Sequence, residues 1–181
     1  MSLLVTACVL LAAATPSASE EHAHYTCEAI ENQAPEQGID PWFLAGMAWR
    51  ESRFDPTVVG SLGELGPLQV LPQYVTGRRG PFEVADLPTY EGGVGASLYA
   101  INRWRFDAGQ GPRWPLCYAA GNVCIDAPLR SVRGSRTVRV AEANKRKLTT
   151  FALGTGYHRD WLSNGGWLCQ YPQGYPTQKF L

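Results

Sequence analysis

The longest apolar run in the chain is its first: Leu3 to Ala14 is almost wholly hydrophobic, and no residue from 1 to 19 carries a charge. Thr15-Pro16-Ser17-Ala18-Ser19 follows, small and turn-prone. The pattern is that of the core and cleavage region of a signal peptide, with Ser17 and Ser19 as the small residues before the cut, although no basic segment leads it. The run is too short to span a bilayer comfortably. Val5-Thr6-Ala7-Cys8 also has the form of a lipobox, so membrane attachment is expected only if Cys8 bears a lipid.

Beyond residue 19 the apolar spacing is helical. His22 to Gln37 reads as a helix that stops at Gly38. Asp40-Pro41 marks the next start, with Asp40 as the cap and Pro41 in the first turn. Along Trp42–Arg53, residues Leu44, Met47, Ala48 and Glu51 are three and four apart and share one face. Three of the four are apolar, so Glu51 sits on a stripe expected to be buried, where a carboxylate is costly unless something uses or satisfies it. Phe54 to Gln73 holds too much Gly and Pro for one regular element, though a short helix around Leu68 fits. Thr76 to Pro88 reads as loop. Val94 to Asp107 is helical, with Val94, Leu98, Ile101 and Arg105 in one row; Trp114 to Gly121 is a short helix, and Ser135 to Leu153 a long basic one. Alternating strand-like runs are few. The expected architecture is a mainly α single domain over 20–153, preceded by a signal peptide over 1–19. An irregular Trp- and Tyr-rich extension, 154–181, packs on it.

A chain of 181 residues fits one domain better than two. Its formal charge is zero, which gives no global field for nucleic acid. Residues 20–91 carry 12 acidic and 4 basic side chains, and residues 92–181 carry 4 acidic and 12 basic. This asymmetry reads as two solvated faces, or as attraction between the halves. Removing residues 1–19 would remove Cys8 and leave Cys27, Cys117, Cys124 and Cys169. An even number in an exported protein suggests two disulfides, with three pairings possible. If Cys117–Cys124 closes a short loop, Cys27–Cys169 would tie the ends of the domain. No Cys-x-x-Cys or His pair supports zinc, and His22, His24 and His158 lack metal-ligand spacing. No cofactor is expected.

The chemistry is concentrated in 22 residues. From Glu51 the chain reads Glu-Ser-Arg-Phe-Asp-Pro, then Gly63-Glu64-Leu65-Gly66-Pro67-Leu68-Gln69-Val70-Leu71-Pro72. Glu51, Ser52, Phe54, Pro56, Gly63, Gly66, Gln69 and Pro72 match, in register, the Glu-Ser-x-Phe-x-Pro and Gly-x-x-Gly-x-x-Gln blocks of the soluble lytic transglycosylases. The segment resembles that family, and more distantly goose-type lysozyme. The resemblance covers roughly residues 25–150 and is strongest over 41–72. Outside it the chain departs from the pattern. The family's Tyr-Asn-Ala-Gly element appears as Tyr118-Ala119-Ala120-Gly121, its Ser four residues after the Pro falls at Gly60, with Ser61 one place on, and no Tyr stands near Val138.

The resemblance implies a lysozyme-like fold and a monomeric, exported enzyme acting on peptidoglycan glycan strands. Glu51 is the expected acid and then base in cleavage of the MurNAc-GlcNAc β-1,4 bond, with a 1,6-anhydro end as product. Gln69 would bind the sugar or its N-acetyl group, Tyr118 would orient Glu51, and Ser52 would brace the helix end. Ser52, Ser61 and Gly66 are further substrate-side candidates. Protonating a glycosidic oxygen needs a carboxyl that is still neutral near pH 7, and burial beside Met47, Ala48 and Phe54 would keep it so. Two alternatives stand beside this one. The same scaffold could hydrolyse, with Asp55 or Glu64 positioning water, or it could be an inactive wall-binding module. Arg130, Arg133, Arg136 and Arg139 recur every three residues, as a solvated face or a grip on an anionic polymer.

Overall fold

The computed structural model describes residues 1–107, Trp114, Tyr118 and 136–153. Among the described residues, five α-helices have both ends in view: α1 (Leu3–Ala13), α2 (Glu20–Gln33), α3 (Pro41–Ser52), α4 (Tyr90–Asn102) and α5 (Arg136–Leu153). Among the described residues there is no strand, only three isolated bridges. The mainly helical expectation holds, and Trp114 and Tyr118 are both helical. The proposed extension 154–181 and Cys117, Cys124 and Cys169 lie outside the described residues.

The apolar N-terminal run is packed against the helices that follow it. It forms α1, whose Ser2 cap accepts from the Val5 amide. Leu4, Val5, Ala7, Cys8, Leu11 and Ala12 are 0–5% exposed, as buried as any residue of the domain. The helix packs against α2 and α5. A disulfide joins Cys8 to Cys27 of α2. In the structure residues 3–13 form a helix that packs on the domain through Leu4, Val5, Ala7, Cys8, Leu11 and Ala12. The Cys27–Cys169 pairing gives way to Cys8–Cys27, and a lipid on Cys8 is incompatible with that bond. Among the described residues no helix is long and apolar enough to cross a membrane.

α2 starts two residues earlier than the apolar pattern suggested, because Ser19 caps it by accepting from the His22 amide. Pro35 ends it, and a 3₁₀ turn, Pro35–Gln37, leads to Gly38 in the left-handed region at φ 63°. α3 follows as read. Asp40 Oδ1 accepts from the Trp42 amide at 2.9 Å. The other oxygen, Oδ2, accepts from Lys145 Nζ of α5 at 2.6 Å, in a pair whose side chains are 5% and 11% exposed. Asn144 Nδ2 donates to the Gly46 carbonyl at 3.1 Å. These polar ties lie within the most extensive helix contact among the described residues, α3 on α5.

α4 begins at Tyr90, earlier than expected, since Thr89 caps the Gly92 amide. Val94, Leu98, Ile101 and Arg105 are buried as their common row requires. After Asn102 the backbone widens into a π turn, Arg103–Asp107. Arg105 is spared an unpaired buried charge by the Gln37 carbonyl, 2.6 Å away. The stretch around Leu68 is not helical. Gly66 (φ 80°) and Gln69 (φ 56°) are left-handed, and the chain reverses there so that Leu65 and Val70 exchange backbone hydrogen bonds at 2.9 Å. Thr76 to Pro88 is loop with two short 3₁₀ turns, Gly77–Arg79 and Val84–Asp86. Val70, Val75, Leu87, Ala96 and Ala100 form a small second core beneath this region, and Tyr118 touches both cores.

Candidate active site

The site is built on the end of α3. Leu44, Met47 and Ala48 are fully buried on the face that carries Glu51, and the Glu51 side chain is 24% exposed. The helix stops at Ser52 because Arg53 and Phe54 are both left-handed, at φ 56° and 71°. Two successive non-glycine residues in that region store on the order of 1–3 kcal/mol each. Surrounding contacts hold them. Phe54 is buried with its ring 5.3 Å from Trp49, and Thr26 Oγ1 donates to its carbonyl at 2.7 Å. The reversal brings Ser52 under the following loop. Its hydroxyl lies 2.7 Å from the Pro67 carbonyl and 3.3 Å from that of Ala48. One proton serves one acceptor well, so Pro67 is the partner and the helix end is clamped to the loop.

That loop, residues 58–70, is folded on itself. The Gly60 amide donates to the Glu64 carbonyl at 2.8 Å, and the Leu62 amide donates to Glu64 Oε2 at 2.8 Å. Gln69 points its Nε2 inward, donating to the carbonyls of Val58 and Gly66, both at 2.9 Å. Two carbonyls can be met only by the NH₂ end of an amide, so the orientation is fixed by chemistry and Oε1 faces the other way. A Cβ on Gly60 would collide with Glu64 Oε2 and lie 2.7 Å from Gln69 Oε1, so both oxygens crowd the same small space.

Burial pushes the Glu51 carboxyl above its ordinary value. The Arg50 guanidinium, which bonds Glu51 Oε1, pulls the other way by charge and hydrogen bond, and the negative charge of Glu64 adds to the rise. Burial wins. Tyr118 donates its hydroxyl to the Leu68 carbonyl at 2.8 Å. Its phenol is likewise pushed up by burial, against a hydrogen bond with Ser97 and with a further rise from the charge of Glu51.

Glu51, Gln69 and Tyr118 are therefore gathered around one loop, while the other expected residues take different places. Tyr118 bonds Leu68 rather than Glu51; it holds the backbone one residue before Gln69. Gln69 can meet a ligand only as an acceptor. Ser52 is buried and clamps the loop, so it does not face a substrate. Gly66 is buried too: a side chain there would collide with the Leu87 carbonyl, so the glycine serves backbone packing rather than a glycan. Ser61 is exposed at the turn tip. Asp55 is occupied by the Thr57 amide and hydroxyl at 2.8 and 2.7 Å, with His22 Nδ1 3.6 Å away. That leaves Glu64 as the carboxylate whose charge reaches Glu51.

Arg50 is the residue that sequence reasoning missed. Neighbours along a helix do not ordinarily face one another, and its only signal was a cation in the last turn. Arg139 is exposed, and Arg130, Arg133 and His158 lie outside the described residues. No group of three His, Cys, Asp or Glu side chains among the described residues is arranged to hold a metal. No family model and no curated protein matches the chain.

Proposed function

We propose that the protein is a peptidoglycan lytic transglycosylase in which Glu51 is the acid and then the base. The observation that carries the reading is a carboxyl three-quarters sheltered at a strained helix end, its pKa raised by burial, beside a loop whose polar atoms are fixed in place. A neutral Glu51 gives its proton to the glycosidic oxygen as the C–O bond breaks. The sugar cation that forms is stabilised by the substrate's own N-acetyl oxygen. The carboxylate left on Glu51 is stabilised by Arg50, which already bonds it. The sugar's 6-hydroxyl then attacks the anomeric carbon, Glu51 takes the hydroxyl proton, and a 1,6-anhydro end results. No second carboxylate is needed.

Hydrolysis on the same scaffold is the second reading, favoured by the proximity of Glu64 to Glu51. The Cys8–Cys27 bond fits an oxidising compartment, and we place the enzyme in the cell envelope on that ground. The test is digestion of purified peptidoglycan with product masses. Anhydro ends, lighter by one water than reducing ends, support the transglycosylase; reducing ends support the hydrolase. The Glu51→Gln variant should release nothing. Equal turnover by that variant and the parent would remove the assignment.

A further inference from the structure

The position where the transglycosylase pattern has Ser is Gly60 here, and the space beside it is filled by the Glu64 carboxylate. Gly60 and Glu64 are coupled, since a Cβ at residue 60 would require the Glu64 carboxylate to move aside from its present place. The same space is bounded by Gln69 Oε1, and both Gln69 amide protons are already committed to backbone carbonyls. Among the described residues, Glu64 Oε2 takes only the Leu62 amide and Gln69 Oε1 has no donor. Glu64 and Gln69 are each only partly buried, so neither side chain is sealed in the core. Two acceptor oxygens that converge without a donor between them repel one another, and the arrangement is relieved by a ligand that brings an O–H or N–H.

We propose that Glu64 and Gln69 form an acceptor pair that takes a hydroxyl or amide N–H of an N-acetylated sugar next to Glu51, making Glu64 a substrate-binding residue. The inference rests on the glycan-cleaving reading above. It assigns Glu64 a part in holding the sugar, distinct from activating water. A hydrogen bond accepted by a carboxylate oxygen is charge-assisted and stronger than a neutral one. Glu64 also adds negative charge near Glu51, and so works with burial to keep the acid protonated.

The test is binding of chitotetraose, four β-1,4-linked N-acetylglucosamines, to the full-length Glu51→Gln protein by titration calorimetry, with KM and kcat on peptidoglycan measured in the active parent. Glu64→Ala should weaken Kd roughly ten-fold or more and raise KM. Glu64→Gln is nearly isosteric. Its oxygen can still accept from Leu62, and its new NH₂ can donate to Gln69 Oε1, closing the space from within. It should therefore weaken binding comparably while leaving the melting temperature at or above that of the parent. Tight binding retained in both variants overturns the acceptor pair, whatever the parent cleaves. If the parent neither cleaves peptidoglycan nor binds chitotetraose, the enzyme reading fails and this inference fails with it.

Discussion

Ser52→Ala separates a clamp from a substrate contact. The hydroxyl is 8% exposed at the residue level and bonds the Pro67 carbonyl at 2.7 Å. Removing it forfeits a hydrogen bond worth about 1 kcal/mol net and leaves a buried carbonyl unsatisfied, which costs about 1–3 kcal/mol. Alanine returns up to about 0.5 kcal/mol through its better helix propensity. The long contact to Ala48 adds little, since back-bonding to the preceding turn is neutral to slightly unfavourable. The net loss is about 2 kcal/mol, which in a domain of this size lowers the melting temperature by roughly 4–8 °C. Thermal unfolding followed by circular dichroism measures it. Activity should fall through kcat, because Pro67 lies two residues before Gln69 and the freed loop shifts its acceptor relative to Glu51. A variant that melts within a degree of the parent while KM alone rises would refute the clamp and return Ser52 to the substrate face.

Other outcomes follow from the same geometry. Burial raises the Glu51 pKa, so the neutral carboxyl is the form the fold favours. Its contribution to stability is complete below the ordinary glutamate value of about 4.3 and is lost as pH rises through the raised one. Glu51→Gln should therefore be more stable than the parent at pH 7, with the difference closing near pH 4; a gap that does not change with pH would contradict the shift. Lys145→Met leaves Asp40 charged and buried and should cost about 3 kcal/mol or more, read from urea unfolding, with Asp40→Asn in the same chain restoring part of it. A loss below about 1 kcal/mol would mean the pair is a surface ion pair in effect. Reduction of Cys8–Cys27 by dithiothreitol should destabilise the domain by on the order of 3 kcal/mol, from the 19-residue separation it spans. No change in melting temperature on reduction would mean that α1 is not held by the bond.

The elements nearest the chemistry were the most legible. Gly38, Asp40 and Pro41 punctuate the start of α3 with local signals, and the three-and-four spacing of Leu44, Met47, Ala48 and Glu51 placed the acid correctly on a buried face. Partnerships between distant segments were not legible. Nothing local says that Ser52 will meet Pro67, that Tyr118 will choose the Leu68 carbonyl, or that the NH₂ of Gln69 will turn inward. Each depends on Arg53, Phe54 and Gln69 adopting left-handed backbone, which non-glycine residues rarely signal in advance. The apolar run at the start has no polar face, so it carries no periodicity to show which of its residues will pack inward.

The double duty of Asp40 has a bearing on how the molecule is assembled. One of its oxygens starts the helix that bears the acid, and the other is claimed by a lysine 105 positions later. On a ribosome, the first half of the chain emerges with that oxygen still in water and with α3 lacking the helix it packs against most. The docking that fixes the first turns of α3 is thus completed late in synthesis. A nascent or truncated chain ending before residue 136 would hold the whole motif and yet leave Asp40 and Gly46 without the partners that fasten α3.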